Sequence, residues 1–184
     1  MALTPSRMIP LGTEAPAFEL PDPNGQRVSL DALCEASKGV LVVFMCNHCP
    51  YVKHLADALA KLGRELPVRG VAMVGINSND FETYPADNPA AMAAEIEARG
   101  YTFPYLVDED QSVARAYQAA CTPDFFLFDG RRRLVYRGEL DDSRPGNGLP
   151  VTGASLGAAV DAMLAGEPVA EEQIPSMGCN IKWR

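Results

Sequence analysis

The run Val40-Leu41-Val42-Val43-Phe44-Met45 is apolar throughout and rich in β-branched side chains. Such a run reads as a strand buried on both faces. It leads directly into Cys46-Asn47-His48-Cys49-Pro50, after which Val52, Leu55, Leu59, Leu62 and Leu66 follow at intervals of 3, 4, 3 and 4. That spacing lines one face of a helix. Two thiols therefore sit where a buried strand turns into a helix, and a strand covered on both faces commits the chain to a layered α/β architecture.

Pro50 narrows the geometry further. A proline is tolerated only in the first turn of a helix, where its missing N–H has no partner to lose, so the helix is expected to begin within Cys46–Cys49. Cys46 is then expected at the helix N-terminus, where unpaired N–H groups and the positive dipole end favour a thiolate. Thiol pKa values in such places fall from about 8.5 to roughly 3.5–7.5. Cys46 is expected to be the more exposed, nucleophilic sulfur and Cys49, one turn in, the resolving thiol. The chemistry would be attack on a disulfide, a mixed disulfide, and its resolution. His48 would favour the Cys46 thiolate and make the couple more oxidising; the plainer reading of His48 is a solvated loop residue.

The rest of the chain alternates strand and helix signals. Ala17–Leu20 and Arg27–Leu30 flank the turn formers Pro21-Asp22-Pro23-Asn24-Gly25, an N-terminal β-hairpin. Gly70–Ile76 is a second apolar strand, ending at Asn77-Ser78-Asn79-Asp80. Asn88-Pro89 gives a helix start, with Asn as N-cap and Pro in the first turn, and Gly100 its stop. Tyr105–Val107 predicts a short strand, followed by a helix through Val113, Ala116 and Tyr117. Asp124–Phe128 and Leu134–Arg137 flank Asp129-Gly130 as a hairpin, with Arg131-Arg132-Arg133 a solvated tip. Asp141–Gly153 reads as a loop and Ala154–Ala165 as the last helix. This order is the thioredoxin plan: a mixed central sheet with helices on both faces, an N-terminal β-hairpin and an inserted α-β-α segment. The 184 residues are expected to form one domain, with residues 1–11 an arm and 166–184 a tail anchored by the lone Trp183.

Composition excludes some partners. A net charge of −8 argues against nucleic acid or an anionic membrane, and no stretch has the length of a membrane span. Met1–Pro10 lacks a basic-then-apolar pattern. With only five cysteines, too few for a disulfide scaffold, a cytoplasmic protein is expected.

A second element of the site is Cys121-Thr122-Pro123, just before the strand Asp124–Phe128. In a thioredoxin plan this loop faces the Cys-X-X-Cys motif, and Pro123 is expected to be cis. The Thr122 backbone is then expected to pair with an extended substrate peptide. Cys121 is either a third redox thiol or a small buried residue. Cys179 is either a tail thiol that resolves an intermediate or a packing residue, and Cys34 is expected to be structural. Asn77–Asp80 is either turn chemistry or a substrate-facing relay. Cys46, Cys49, His48 and His54 fall short of the two separated ligand pairs of a structural zinc site, so no metal is expected, and His54 is expected to be solvated.

Phe44–Lys53, Gly75–Asp80, Cys121–Phe126 and Asp141-Asp142-Ser143-Arg144-Pro145-Gly146-Asn147 together resemble the thioredoxin-like, peroxiredoxin-related proteins of bacteria (the redoxin, or alkyl-hydroperoxide-reductase/thiol-specific-antioxidant, type). The resemblance runs from about Gly12 to Trp183. It implies a thioredoxin fold, thiol redox chemistry without an organic cofactor, and protein or small-molecule disulfides, a dithiol electron donor and hydroperoxides as partners. Two departures matter. Typical peroxiredoxins carry Pro and Thr seven and three residues before the peroxidatic cysteine. Here those places hold Val42 and Cys46 counted from Cys49, or Gly39 and Val43 counted from Cys46. Thioredoxin's buried acid on its first central strand is also missing from Val40–Met45, so protons must come from water, Lys53 or the Asn77–Asp80 loop. The leading expectation is thus a thiol–disulfide oxidoreductase using Cys46 and Cys49. A thiol peroxidase is the first alternative and a non-catalytic binding or chaperone-like module the second.

Overall fold

In the computed structural model, which describes residues 3–184, the apolar run forms β4 (Gly39–Phe44), every residue of it buried. It is the middle of a five-stranded sheet of order β6-β5-β4-β8-β9. The other strands are β5 (Val71–Asn77), β6 (Tyr105–Val107), β8 (Asp124–Asp129) and β9 (Leu134–Gly138). β4 runs parallel to β5, with Leu41 opposite Met73, and antiparallel to β8, with Leu41 opposite Leu127. The sheet is mixed, as expected.

Strand alternation sends the side chains of β4 into two cores. Leu41, Val43 and Met45 pack in a layer with Leu59, Met92 and Val160. Those three residues belong to α3 (Ala56–Val68), α4 (Pro89–Arg99) and α6 (Ala154–Ala165). Val40, Val42 and Phe44 face the other layer, with Leu30 of α1 (Leu30–Glu35) and Val113 of α5 (Ser112–Ala116). Helices therefore cover both faces. The N-terminal hairpin forms as β2 (Glu19–Pro21) against β3 (Arg27–Ser29). Asn88 caps α4 by accepting the Ala91 N–H at 2.8 Å, and Gly100 ends it in the left-handed conformation.

Three local expectations are corrected. The helix after the motif is broken: α2 (Pro50–His54) stops at Leu55, whose φ and ψ of −97° and 3° turn the chain before α3 resumes. The Leu55 N–H bonds back to Val52 rather than one residue earlier, a 3₁₀ tightening. The tail contains a strand that the sequence does not announce. β10 (Met177–Asn180) lies between β1 (Leu3–Pro5) and the two-residue β7 (Cys121–Thr122), pairing Leu3 with Cys179 and Cys179 with Thr122. The tail's anchor is not Trp183, which is 40% exposed, but the fully buried Ile181 together with Lys182. The Lys182 N–H donates to the Asn79 side-chain oxygen and the Lys182 carbonyl accepts the Asp80 N–H, and these bonds hold it down. Of the expected N-terminal arm, Met1 and Ala2 lie outside the described residues.

Candidate active site

The motif leaves β4 in a short loop, and Cys49 is the N-cap of α2, with Pro50 in its first turn. The helix thus starts at the far end of the expected stretch, and Cys46 stands in the loop ahead of it. Both sulfurs are enclosed: Cys46 is 1% exposed and Cys49 0%. The Thr122–Pro123 peptide is cis, as expected, and this loop covers the pair. The Thr122 hydroxyl lies 3.4 Å from Cys46 Sγ, and the neutral Cys49 thiol donates to the Thr122 carbonyl at 3.1 Å. The Thr122 backbone is already paired with β10, so the edge expected to receive a substrate peptide is occupied by the protein's own strand.

The two sulfurs are hydrogen-bonded to each other and divide the proton unequally. That bond, followed by burial and the nearby Asp87 carboxylate, pushes the Cys46 thiol well above the usual thiol range. The same bond, donated by Cys46, lowers Cys49 to about 4, with a further hydrogen bond to Cys179 assisting. Burial opposes that ionisation. The interaction between the two sulfurs thus favours ionisation of Cys49, at the helix N-terminus, and opposes that of Cys46.

Asp87, just before the α4 N-cap, organises the loop between the cysteines. The carboxylate is buried and accepts the Asn47 backbone N–H at 2.7 Å, the Asn79 amide at 2.8 Å and His48 Nδ1–H at 2.5 Å. Burial would raise its pKa, but the donors of His48, Asn79 and Asn47 outweigh it and hold the carboxyl below its ordinary 3.8. The His48 ring stacks on Tyr84, centroids 5.5 Å apart. The Asn47 side chain is held at both ends: its amide donates to the Ala86 carbonyl, and its oxygen accepts from the Tyr105 hydroxyl at 3.0 Å. Sequence reasoning missed Asp87, Tyr84 and Tyr105. Asp87 reads locally as the approach to a helix start, and only the fold brings it to the motif.

Asp87→Ala would leave the buried Asn47 N–H and Asn79 amide unpartnered, at about 1–3 kcal/mol each. An overall destabilisation of about 2–4 kcal/mol is expected in urea unfolding. Because the folded pKa of Asp87 is depressed, its stabilisation is complete above the unfolded value and lost as pH falls through the folded one. The difference between wild type and variant should therefore shrink only in acid below the ordinary 3.8. A difference under 1 kcal/mol at neutral pH (about the net value of one ordinary hydrogen bond) would refute this role.

The remaining candidates are placed as follows. Asn77–Asp80 is buried and structural: Asn77 reaches the Tyr105 hydroxyl, Asn79 holds Asp87, and Asp80 binds the tail. His54 is not solvated, since its Nε2 lies 2.7 Å from the Ser143 hydroxyl and ties α2 to the 141–153 loop. Cys34 lies on α1 and packs against the core layer opposite the one that holds Cys46 and Cys49. Cys121 is buried beside the site, its thiol directed at the Pro123 and Ser176 carbonyls at 3.6 and 4.0 Å. Cys179 is hydrogen-bonded to Cys49. Ligand atoms of Cys46, His48 and Asp87 lie within 4.8 Å of one another. They are three of the four donors a tetrahedral ion needs, but the carboxylate is already engaged by three N–H groups, and an ion would have to displace His48 from it. The buried acid missing from β4 stands on the next strand as Asp124, opposite Phe44 and 0% exposed. Alternation turns it toward the Phe44 and Phe126 layer, away from the cysteines.

Comparison with known proteins agrees with this architecture. The chain is 52% identical to a hypothetical protein from Sinorhizobium meliloti 1021, whose crystal structure superposes with a TM-score of 0.96 over 98% of each chain. An uncharacterized conserved protein from Geobacillus kaustophilus gives 51% identity and a TM-score of 0.96, covering 100% of this chain and 97% of that one. A curated relative, thiol-disulfide oxidoreductase ResA of Bacillus subtilis, is 28% identical over 124 residues, 67% of this chain and 64% of its own. The chain spans 64–66% of the length of the curated relatives it matches. The expectation of a cytoplasmic protein is overturned by this group. It includes a secreted disulfide oxidoreductase of Mycobacterium tuberculosis that shares the fold (TM-score 0.60, 18% identity, 79% of this chain and 95% of that one). A cysteine pair of this kind works in oxidising compartments as well as reducing ones, so the cysteine count does not fix the location. Among the described residues, no helix is long and apolar enough to cross a membrane. The AhpC/TSA family model matches residues 11–137, more than half of the sequence, and the chain belongs to that family.

Proposed function

We propose that the protein is a thiol–disulfide oxidoreductase working through Cys46 and Cys49. The observation that carries this reading is the pair of enclosed sulfurs seated under the cis Thr122–Pro123 loop, with Thr122 touching both. Cys46 passes its proton to the Cys49 thiolate through the S–H···S bond and attacks a substrate disulfide. The departing substrate thiolate takes the proton from Cys49. Cys49, again a thiolate, then attacks Cys46 in the mixed disulfide and releases the second half of the substrate as a thiolate, which takes its proton from solvent. A low Cys49 pKa stabilises the reduced form and makes the couple more oxidising. His48, fixed by Asp87 and Tyr84, keeps the Cys46–Cys49 loop in shape beside a surface hollow lined by Tyr84, Asn180 and Lys182.

A second reading, thiol peroxidase, is favoured by one observation. The hydroxyl that the sequence lacks near Cys46 is supplied across space by Thr122. One pair of assays separates the two. Insulin-disulfide reduction with a dithiol donor should turn over in wild type and fall to background in Cys46→Ser and Cys49→Ser. Peroxide consumption with the same donor should be slow. Fast peroxide consumption without insulin reduction would establish the peroxidase instead.

A further inference from the structure

Cys49 interacts with two other sulfurs, those of Cys46 and Cys179. One residue registers all three. Thr122 touches Cys46 through its hydroxyl, accepts from Cys49 through its carbonyl and stands opposite Cys179 in the β7–β10 ladder. The neighbouring Gly178 lies so close that a Cβ there would sit 2.0 Å from the Thr122 oxygen. β10 thus occupies the edge where an extended peptide would pair, and it places a thiol where a cysteine of such a peptide would come to rest. Cys179 is 4% exposed, so this thiol faces the pair and not solvent.

We propose that Cys179 is a third redox thiol and that β10 is a built-in substrate strand, a proposal that rests on the Cys46–Cys49 couple. In the oxidised protein the Cys179 sulfur attacks Cys49. The Cys46–Cys49 bond breaks and a Cys49–Cys179 bond forms. Cys46 leaves with the bonding pair and takes up the proton given up by Cys179. Nothing is oxidised or reduced overall; the disulfide moves inward and Cys46 is returned as a thiol beside the Thr122 hydroxyl. Burial, with the Cys49 contact adding, pushes Cys179 up to about 12, so the exchange should quicken as pH rises from neutral into the alkaline range.

The test is disulfide mapping of the full-length protein oxidised with diamide under native conditions, then acid-quenched, alkylated and digested. Cys46→Ser should yield a Cys49–Cys179 bond, and Cys179→Ser only Cys46–Cys49. Wild type should yield both, with the Cys49–Cys179 share growing with pH. Alkylation of both Cys49 and Cys179 in oxidised Cys46→Ser, or pairing of Cys49 with Cys121, would overturn the proposal. If circular dichroism shows Cys46→Ser unfolded, wild type decides: no Cys49–Cys179 peptide at alkaline pH is the overturning result. Failure of the underlying couple would show separately, as Cys179→Ser forming no Cys46–Cys49 bond.

Discussion

Gly178→Ala is expected to lift β10 off β7 and open the thiol site. The added methyl carbon would fall 2.0 Å from the Thr122 oxygen, 2.6 Å from its carbonyl carbon and 3.2 Å from the Pro123 nitrogen. All three are backbone atoms, so no side chain can swing aside, and the strand must move. Overpacking of this kind costs about 1–3 kcal/mol and more where the backbone must shift; a loss of at least about 3 kcal/mol is expected in urea unfolding. The more telling readout is native-state alkylation. Cys46 and Cys49, enclosed in the wild type, should react at least about tenfold faster, the change that corresponds to about 1.4 kcal/mol in an opening equilibrium. Unchanged alkylation in a folded variant would show that β10 is not what seals the site.

The second large effect concerns Asp124. It is 0% exposed, its Oδ2 accepts a long bond of 3.3 Å from the Ala120 N–H with the Cys121 N–H adding to it, and its Oδ1 is without a partner among the described residues. Burial dominates and raises its pKa from 3.8 to about 8. The sign is opposite to that of Asp87. The folded state holds a proton that the unfolded state has lost, so stability falls as pH climbs from the unfolded value toward the folded one. The slope is about 1.4 kcal/mol per pH unit, or about 4 kcal/mol by neutral pH. Asp124→Asn keeps the shape and removes the charge. It should match wild type near pH 4 (roughly the unfolded carboxyl value) and exceed it by about 2–4 kcal/mol at neutral pH. Parallel curves for the two proteins from acid to neutral pH would show that the carboxyl stays ionised in the fold.

What was legible in the sequence was what is local. Val40–Met45 could be read as a doubly buried strand because no residue in it offers an alternative, and Asn88-Pro89 because cap and proline act within one turn. The cis Thr122–Pro123 bond followed from its place before the strand that flanks β4. The order of strands and helices then left few topologies. What escaped was fixed by contacts distant in sequence. Met177-Gly178-Cys179-Asn180 has weak strand propensity and becomes a strand because β1 and β7 supply an edge on each side. Asp87 lies about forty positions beyond the motif it organises. Cys46 stands short of the helix because of a loop conformation that no local pattern announces.

The ladder that carries Cys179 has a second edge. β10 is bonded to β7 on one side and to Leu3–Pro5 on the other, with Cys179 the shared residue of both registers. Force or binding applied to the N-terminal strand is therefore transmitted across a single strand to the sulfurs. Leu3, 57% exposed, is the accessible end of that lever. An affinity tag, a partner or a cut placed there is expected to loosen the strand that covers the sulfurs, although the two are more than forty residues apart along the chain.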